Sequence, residues 1–120
     1  MDSGTPADMA RLTAGLRARE TGAEEEFVAR FRERVFTLAL LAIRDRETAR
    51  DLSQETLMAA LAGVRDGRLA DPRRLAGYVC GTARHLIAHH LRALAKRCEQ
   101  SANAEIPGGD DPERDVAAAE

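Results

Sequence analysis

Four side chains recur at helical spacing near the middle of this sequence. They are Asp51, Gln54, Glu55 and Met58, at i, i+3, i+4 and i+7. They lie in RDLSQETLMAAL, residues 50–61, which contains no Gly or Pro and reads as helix. At about 100° per residue, Ala49, Leu52, Thr56, Ala60 and Val64 share another face, with Leu57 at its edge. That face predicts burial. The polar stripe sets a carboxylate, an amide, a second carboxylate and a thioether in a row on the side away from that face. An ordinary solvated face would carry similar residues, so the stripe alone does not decide its role.

A second stripe has the opposite character. Tyr78, Thr82, His85, His89, Arg92 and Lys96 follow one another at spacings of 4, 3, 4, 3 and 4. The segment around it, residues 72–98, holds Arg73, Arg74, Arg84, Arg92, Lys96 and Arg97 and no acid. Taken alone the stripe also reads as a solvated basic face, while cations for phosphates, donors for base edges and one aromatic ring for stacking fit a nucleic-acid surface. From Glu99 onward the balance reverses, with seven acids against Arg114. The net charge of -2 therefore conceals a basic segment beside an acidic one.

Other chemistries find less support. His85 and His89 are spaced for a shared metal ion, but Thr82 and Arg92 occupy the neighbouring positions on that face and no acid lies nearby. His90 falls on the apolar face and reads as a core histidine. No Ser or Cys is paired with a base and an orienting acid at a recognisable spacing, so catalysis is not expected, and neither a cofactor nor a metal. No run reaches the length of a membrane span, and residues 1–20 have no apolar leader core. A cytoplasmic chain with Cys80 and Cys98 reduced is the expectation.

These stripes need helices to position them, and the remaining text supplies helices. Leu and Ala dominate and aromatics are few, which favours helix-on-helix packing. Residues 1–8 read as disordered, and 9–19 as a short helix with Met9, Leu12 and Leu16 on one side. A helix over 24–44 starts with Glu24, Glu25 and Glu26 at its positive end. Its predicted buried face is Phe27, Phe31, Val35, Leu38 and Ala42, and the apolar run TLALLAI predicts that its second half lies deep in a bundle. Asp45 caps a helix over 47–65, and Asp71-Pro72 opens one over 72–98. Gly77 and Gly81 within it suggest close approach of another helix or of a ligand. The expected fold is all-α: a compact bundle of three main helices plus a short N-terminal one. Residues 1–20 form an extension, 21–98 the helical domain and 99–120 an acidic linker, with Asp111-Pro112 able to cap a further helix.

The texts RDRETARDLSQETLMAAL and LAGYVCGTARHLIAHHLRALAKR, in this order and separated by a Gly-containing turn, resemble region 2 of bacterial sigma factors, most of all the extracytoplasmic-function (ECF) group. The resemblance covers residues 27–97. It implies that Asp51, Gln54 and Glu55, with Met58, meet the clamp helices of the RNA polymerase β′ subunit. It also implies that the loop at 65–74, with Arg68, Arg73 and Arg74, and the stripe Tyr78, Thr82, His85, His89, Arg92 and Lys96 take the promoter -10 element as single-stranded non-template DNA, one base flipped into a loop pocket. An anti-sigma factor is a further implied partner. The family usually has Trp where this chain has Tyr78 and Asn where it has His85. Tyr still stacks and His still donates or accepts, so base preference is the property in question. The family's second domain, which reads the -35 element, would follow the acidic linker, and the chain reads either as a piece that stops within that linker, the reading DPERDVAAAE favours, or as a stand-alone region 2 protein. Two rival readings share the fold: a sigma-like decoy that binds an anti-sigma factor or polymerase without DNA, and a helical interaction module with no role in transcription.

Overall fold

The computed structural model describes residues 4–105, and among them the chain is helical with no strand. Helix α1 spans Pro6–Arg17. Thr5 caps it, its hydroxyl accepting from the Asp8 N–H at 3.1 Å, and Pro6 supplies the fixed φ of a first helical residue. Part of the segment expected to be disordered is therefore ordered, because Thr-Pro is itself a helix start. Met9, Leu12 and Leu16 are buried as expected.

Helix α2, Ala23–Ile43, carries its acids in the first turn and buries Phe27, Phe31 and Val35. The rings of Phe27 and Phe31 pack at 5.4 Å in a tilted arrangement. The expectation for its second half fails. Ala39 is buried in place of Ala42, Leu38 is only half-buried, and Leu41 is 66% exposed. A helix packed along one side buries one stripe whatever the composition of the rest.

Helix α3, Arg46–Arg65, starts where Asp45 accepts from the Thr48 N–H and hydroxyl. Ala49, Leu52, Thr56, Leu57, Ala60 and Val64 are all buried, as the periodicity predicts. The helix ends in a Schellman motif. Gly67, at φ +84, lets its own N–H reach the Val64 carbonyl and the Arg68 N–H reach that of Gly63, at 3.2 and 2.9 Å.

Asp71 and Pro72 then open a 3-10 turn, Pro72–Arg74, rather than the α-helix directly, and helix α4 runs over Leu75–Glu105. It continues past the expected end at Cys98, because residues 99–105 contain no Gly or Pro and two Ala, so their polarity does not stop the helix. Asp111-Pro112 and the rest of the proposed linker lie outside the described residues.

The chain divides into two units, residues 1–86 and 87–120. The core of the first joins Met9, Leu12 and Leu16 of α1 to Phe27, Phe31 and Val35 of α2, Leu57, Ala60, Leu61 and Val64 of α3, and Leu75, Val79 and Ala83 of α4. In the second, the described part is the remainder of α4. There His90 is half-buried rather than core, and Leu91 and Leu94 are exposed.

Side chains from α1 hold the connection between α3 and α4. Arg17 donates to the carbonyls of Val64 and Leu69 at 3.1 and 2.6 Å, and Thr13 Oγ1 to that of Pro72 at 3.2 Å. Arg65 returns the favour at the other helix end, donating to the Leu16 carbonyl at 2.9 Å. Each arginine thus offsets the partial negative charge of a helix C-terminus by adding a charged donor to a carbonyl there. On the outer side, Arg11 and Arg30 bridge Asp8 of α1 and Glu26 of α2, with contacts of 2.7–3.2 Å.

Two outcomes follow from this packing. Arg17→Ala should lower unfolding stability by about 1–3 kcal/mol, since two carbonyls lose a charged donor. Amide hydrogen exchange should rise first in residues 66–74. The Arg11 and Arg30 guanidiniums hold the Asp8 and Glu26 carboxyls below the usual carboxylate range. Their stabilisation is present above the unfolded-state values and lost as pH falls through the lowered native ones. The thermal midpoint should therefore drop on acidification below about pH 4. In a variant carrying Asp8→Asn and Glu26→Gln, that part of the drop should be absent.

Candidate functional site

The polar stripe of α3 is presented as its spacing predicts. Asp51, Gln54, Glu55 and Met58 are all exposed, Met58 to 57%. Beneath them Leu52, Ser53, Thr56 and Leu57 are buried, so the stripe is held on a helix whose inner face is fixed. Among the described residues no ion pair engages Asp51 or Glu55. Their charge is therefore available to a partner.

An open groove of about 690 Å³ lies between α3 and the first turns of α4. Ala59, Ala62 and Gly63 line it from α3, Asp66 and Arg68 from the turn, and Gly77, Tyr78, Gly81, Thr82, His85 and Leu86 from α4. Tyr78 is half-buried and packs against the core cluster, with its hydroxyl over Gly63. A Cβ at Gly63 would collide with that hydroxyl and come within 3.4 Å of the ring. Gly63 is thus the seat of the tyrosine, and its small size sets where the ring stands. Thr82 Oγ1 donates to the Tyr78 carbonyl at 2.9 Å, which keeps the hydroxyl close to the helix. His85 and Arg68 are exposed at the rim.

Gly77 and Gly81 behave differently from Gly63. A Cβ at either meets nothing within 4 Å. The close helix approach that their presence suggests is not there, and of the two expectations for them only room for a ligand remains. With an aromatic ring, an imidazole, a hydroxyl and a guanidinium around a floor of small residues, the groove can stack a planar group and hydrogen-bond its edge.

The structure thus brings Arg68, Tyr78, Thr82 and His85 together. It does not bring Arg73 and Arg74 to the groove. Asp71 engages both, Arg73 Nε at 3.2 Å and Arg74 Nε at 3.7 Å. Arg73 lowers the Asp71 carboxyl and is itself raised by it. Asp71 reads in sequence as a helix cap only, and its second role in holding two exposed arginines has no signature in spacing. His89, Arg92 and Lys96 are exposed on the part of α4 that belongs to the second unit. Gly63 and Asp66 are groove residues that spacing does not single out, since neither belongs to a periodic stripe.

Cys80 and Cys98 are both free. Among the described residues no three His, Cys, Asp or Glu gather closely enough to hold a metal, and no helix is long and apolar enough to cross a membrane. Comparison with protein-family models matches residues 27–97 to sigma-70 region 2. No curated protein and no solved structure gives a significant match.

The three groove glycines should respond in opposite senses to the same substitution. Gly63→Ala should cost about 1–3 kcal/mol by forcing Tyr78 from its seat. Gly77→Ala and Gly81→Ala should each raise stability by about 0.5–1 kcal/mol, since a methyl there meets open space in a helix. Urea unfolding of the three variants measures both.

Proposed function

The chain belongs to the sigma-70 region 2 family, a sigma-factor domain with a role in promoter recognition and polymerase binding, and from that premise we propose that two faces divide the work. The α3 stripe of Asp51, Gln54, Glu55 and Met58 docks on the clamp helices of the polymerase β′ subunit. The groove between α3 and α4 takes single-stranded non-template DNA of the -10 element. Tyr78 stacks on a base, while His85, Thr82 and Arg68 address base edges and phosphates. His89, Arg92 and Lys96 extend the phosphate contacts along α4, and Arg73 and Arg74 contribute from the turn.

The observation that carries this reading is the open groove with a seated aromatic at its wall and no acid on the α4 side. Stacking requires an accessible ring held still, and Gly63 provides the seat. The domain performs no bond chemistry in this account. It stabilises the separated strand, whose unstacking costs a few kcal/mol, by holding bases and phosphates that the duplex would otherwise hide. The resemblance of RDRETARDLSQETLMAAL and LAGYVCGTARHLIAHHLRALAKR to the ECF group supports an ECF-type role, in which an anti-sigma factor would compete for the same α3 stripe.

Docking should fail selectively in the double variant Asp51→Ala with Gln54→Ala. Affinity for core polymerase should fall by about 1 kcal/mol or more per residue, with helicity and thermal midpoint nearly unchanged. A large loss of folding stability without a selective loss of binding would make the stripe structural.

Binding of a -10-like single strand should weaken steeply with salt. Each phosphate neutralised contributes about 0.7 to the log–log slope, so Arg92→Ala or Lys96→Ala should reduce the slope by that amount. His85→Ala should alter affinity or base preference with little effect on folding. Polymerase binding without any DNA contribution from these residues would favour the decoy reading.

A further inference from the structure

A second groove, of about 510 Å³, runs along the α2–α3 hairpin away from Tyr78. Its lining includes three arginines, Arg32 of α2 and Arg46 and Arg50 of α3, against one acid, Glu33. All three arginines are exposed, and among the described residues no ion pair engages any of them. Arg46 is held in place by its guanidinium stacking over the Phe36 ring at 5.6 Å. Ser53 also lines the groove. It is only 4% exposed, and its hydroxyl has no hydrogen-bond partner among the described residues.

Buried hydroxyls are ordinarily paired, so an unpaired one at the wall of a cationic groove asks for an acceptor from outside the fold. Arginines converging from two helices supply forked donors that match the oxygens of phosphate or carboxylate. The geometry points to a binding site for a small polyvalent oxyanion, a phosphorylated or polycarboxylate molecule, held by Arg32, Arg46 and Arg50 with the Ser53 hydroxyl donating to one of its oxygens. Gln54 belongs both to this groove and to the α3 stripe. An anion here therefore sits beside the proposed docking surface and changes its charge. The site itself does not depend on the docking reading, because binding of the anion can be measured without polymerase.

Two-dimensional NMR of the isotope-labelled full chain, titrated with pyrophosphate and separately with citrate at constant ionic strength in chloride, tests it. The expected result is saturable shifts of the Arg32, Arg46 and Arg50 Nε–H signals and of the Ser53 amide. Saturation by pyrophosphate alone assigns phosphate chemistry, by citrate alone carboxylate chemistry, and by both the shared oxyanion. Arg32→Gln with Arg50→Gln should weaken the anion about tenfold or more, with melting unchanged because both residues are exposed. Ser53→Ala should weaken it several-fold. Shifts that never saturate and spread over all basic residues, or an affinity indifferent to the arginine pair, would overturn the site.

Discussion

The crossed pairing of two arginines with two helix ends is the constraint on which the rest of the arrangement depends. Arg17 of α1 closes carbonyls at the end of α3 and in the following turn, and Arg65 of α3 closes one at the end of α1. The connection between α3 and α4 buries little of its own. Leu69 is its one buried hydrophobic residue, and Arg68 and Arg73 are exposed. A connection with so little apolar surface is fixed mainly by where its backbone carbonyls find donors. The donors come from α1, so the short N-terminal helix positions the turn that joins α3 to α4. The turn in turn sets the direction in which α4 leaves and where Tyr78 meets Gly63.

Around that joint, burial and display are assigned by periodicity. The α3 helix spends one side on the core and keeps an unpaired acid–amide stripe on the other. The first turns of α4 give Leu75, Val79 and Ala83 to the core and leave Gly77, Gly81 and His85 in the open groove. The same helices therefore serve as scaffold and as two chemically opposite surfaces. Membership of the sigma-70 region 2 family gives those surfaces their context, promoter recognition and polymerase binding.

Much of this was legible in the residues. The α3 core stripe, the Asp45 cap and the exposure of Asp51, Gln54, Glu55 and Met58 follow from a 3.6-residue period and a side-chain acceptor before the first turn. What was not legible depends on partners distant in sequence. Nothing in TLALLAI says that Leu41 is left 66% exposed among the described residues, and nothing around Asp71 says that it engages both arginines beyond it. The seat at Gly63 is a contact across fifteen residues, and a lone glycine inside a helical run gives no hint of the ring above it. The end of α4 was misjudged because polarity was taken for the absence of structure, whereas an exposed helix is also polar.

The central claim is that the α3 stripe recognises the polymerase clamp while the Tyr78 groove remains free for DNA. It is tested most directly by fluorescence anisotropy of the labelled chain with an isolated β′ clamp-helix fragment, in the presence and absence of a -10-like single strand. The account predicts saturable one-to-one binding to the fragment that the strand leaves undiminished, so that all three form a ternary complex. A folded chain that fails to bind the fragment, or a strand that displaces it, would contradict the account.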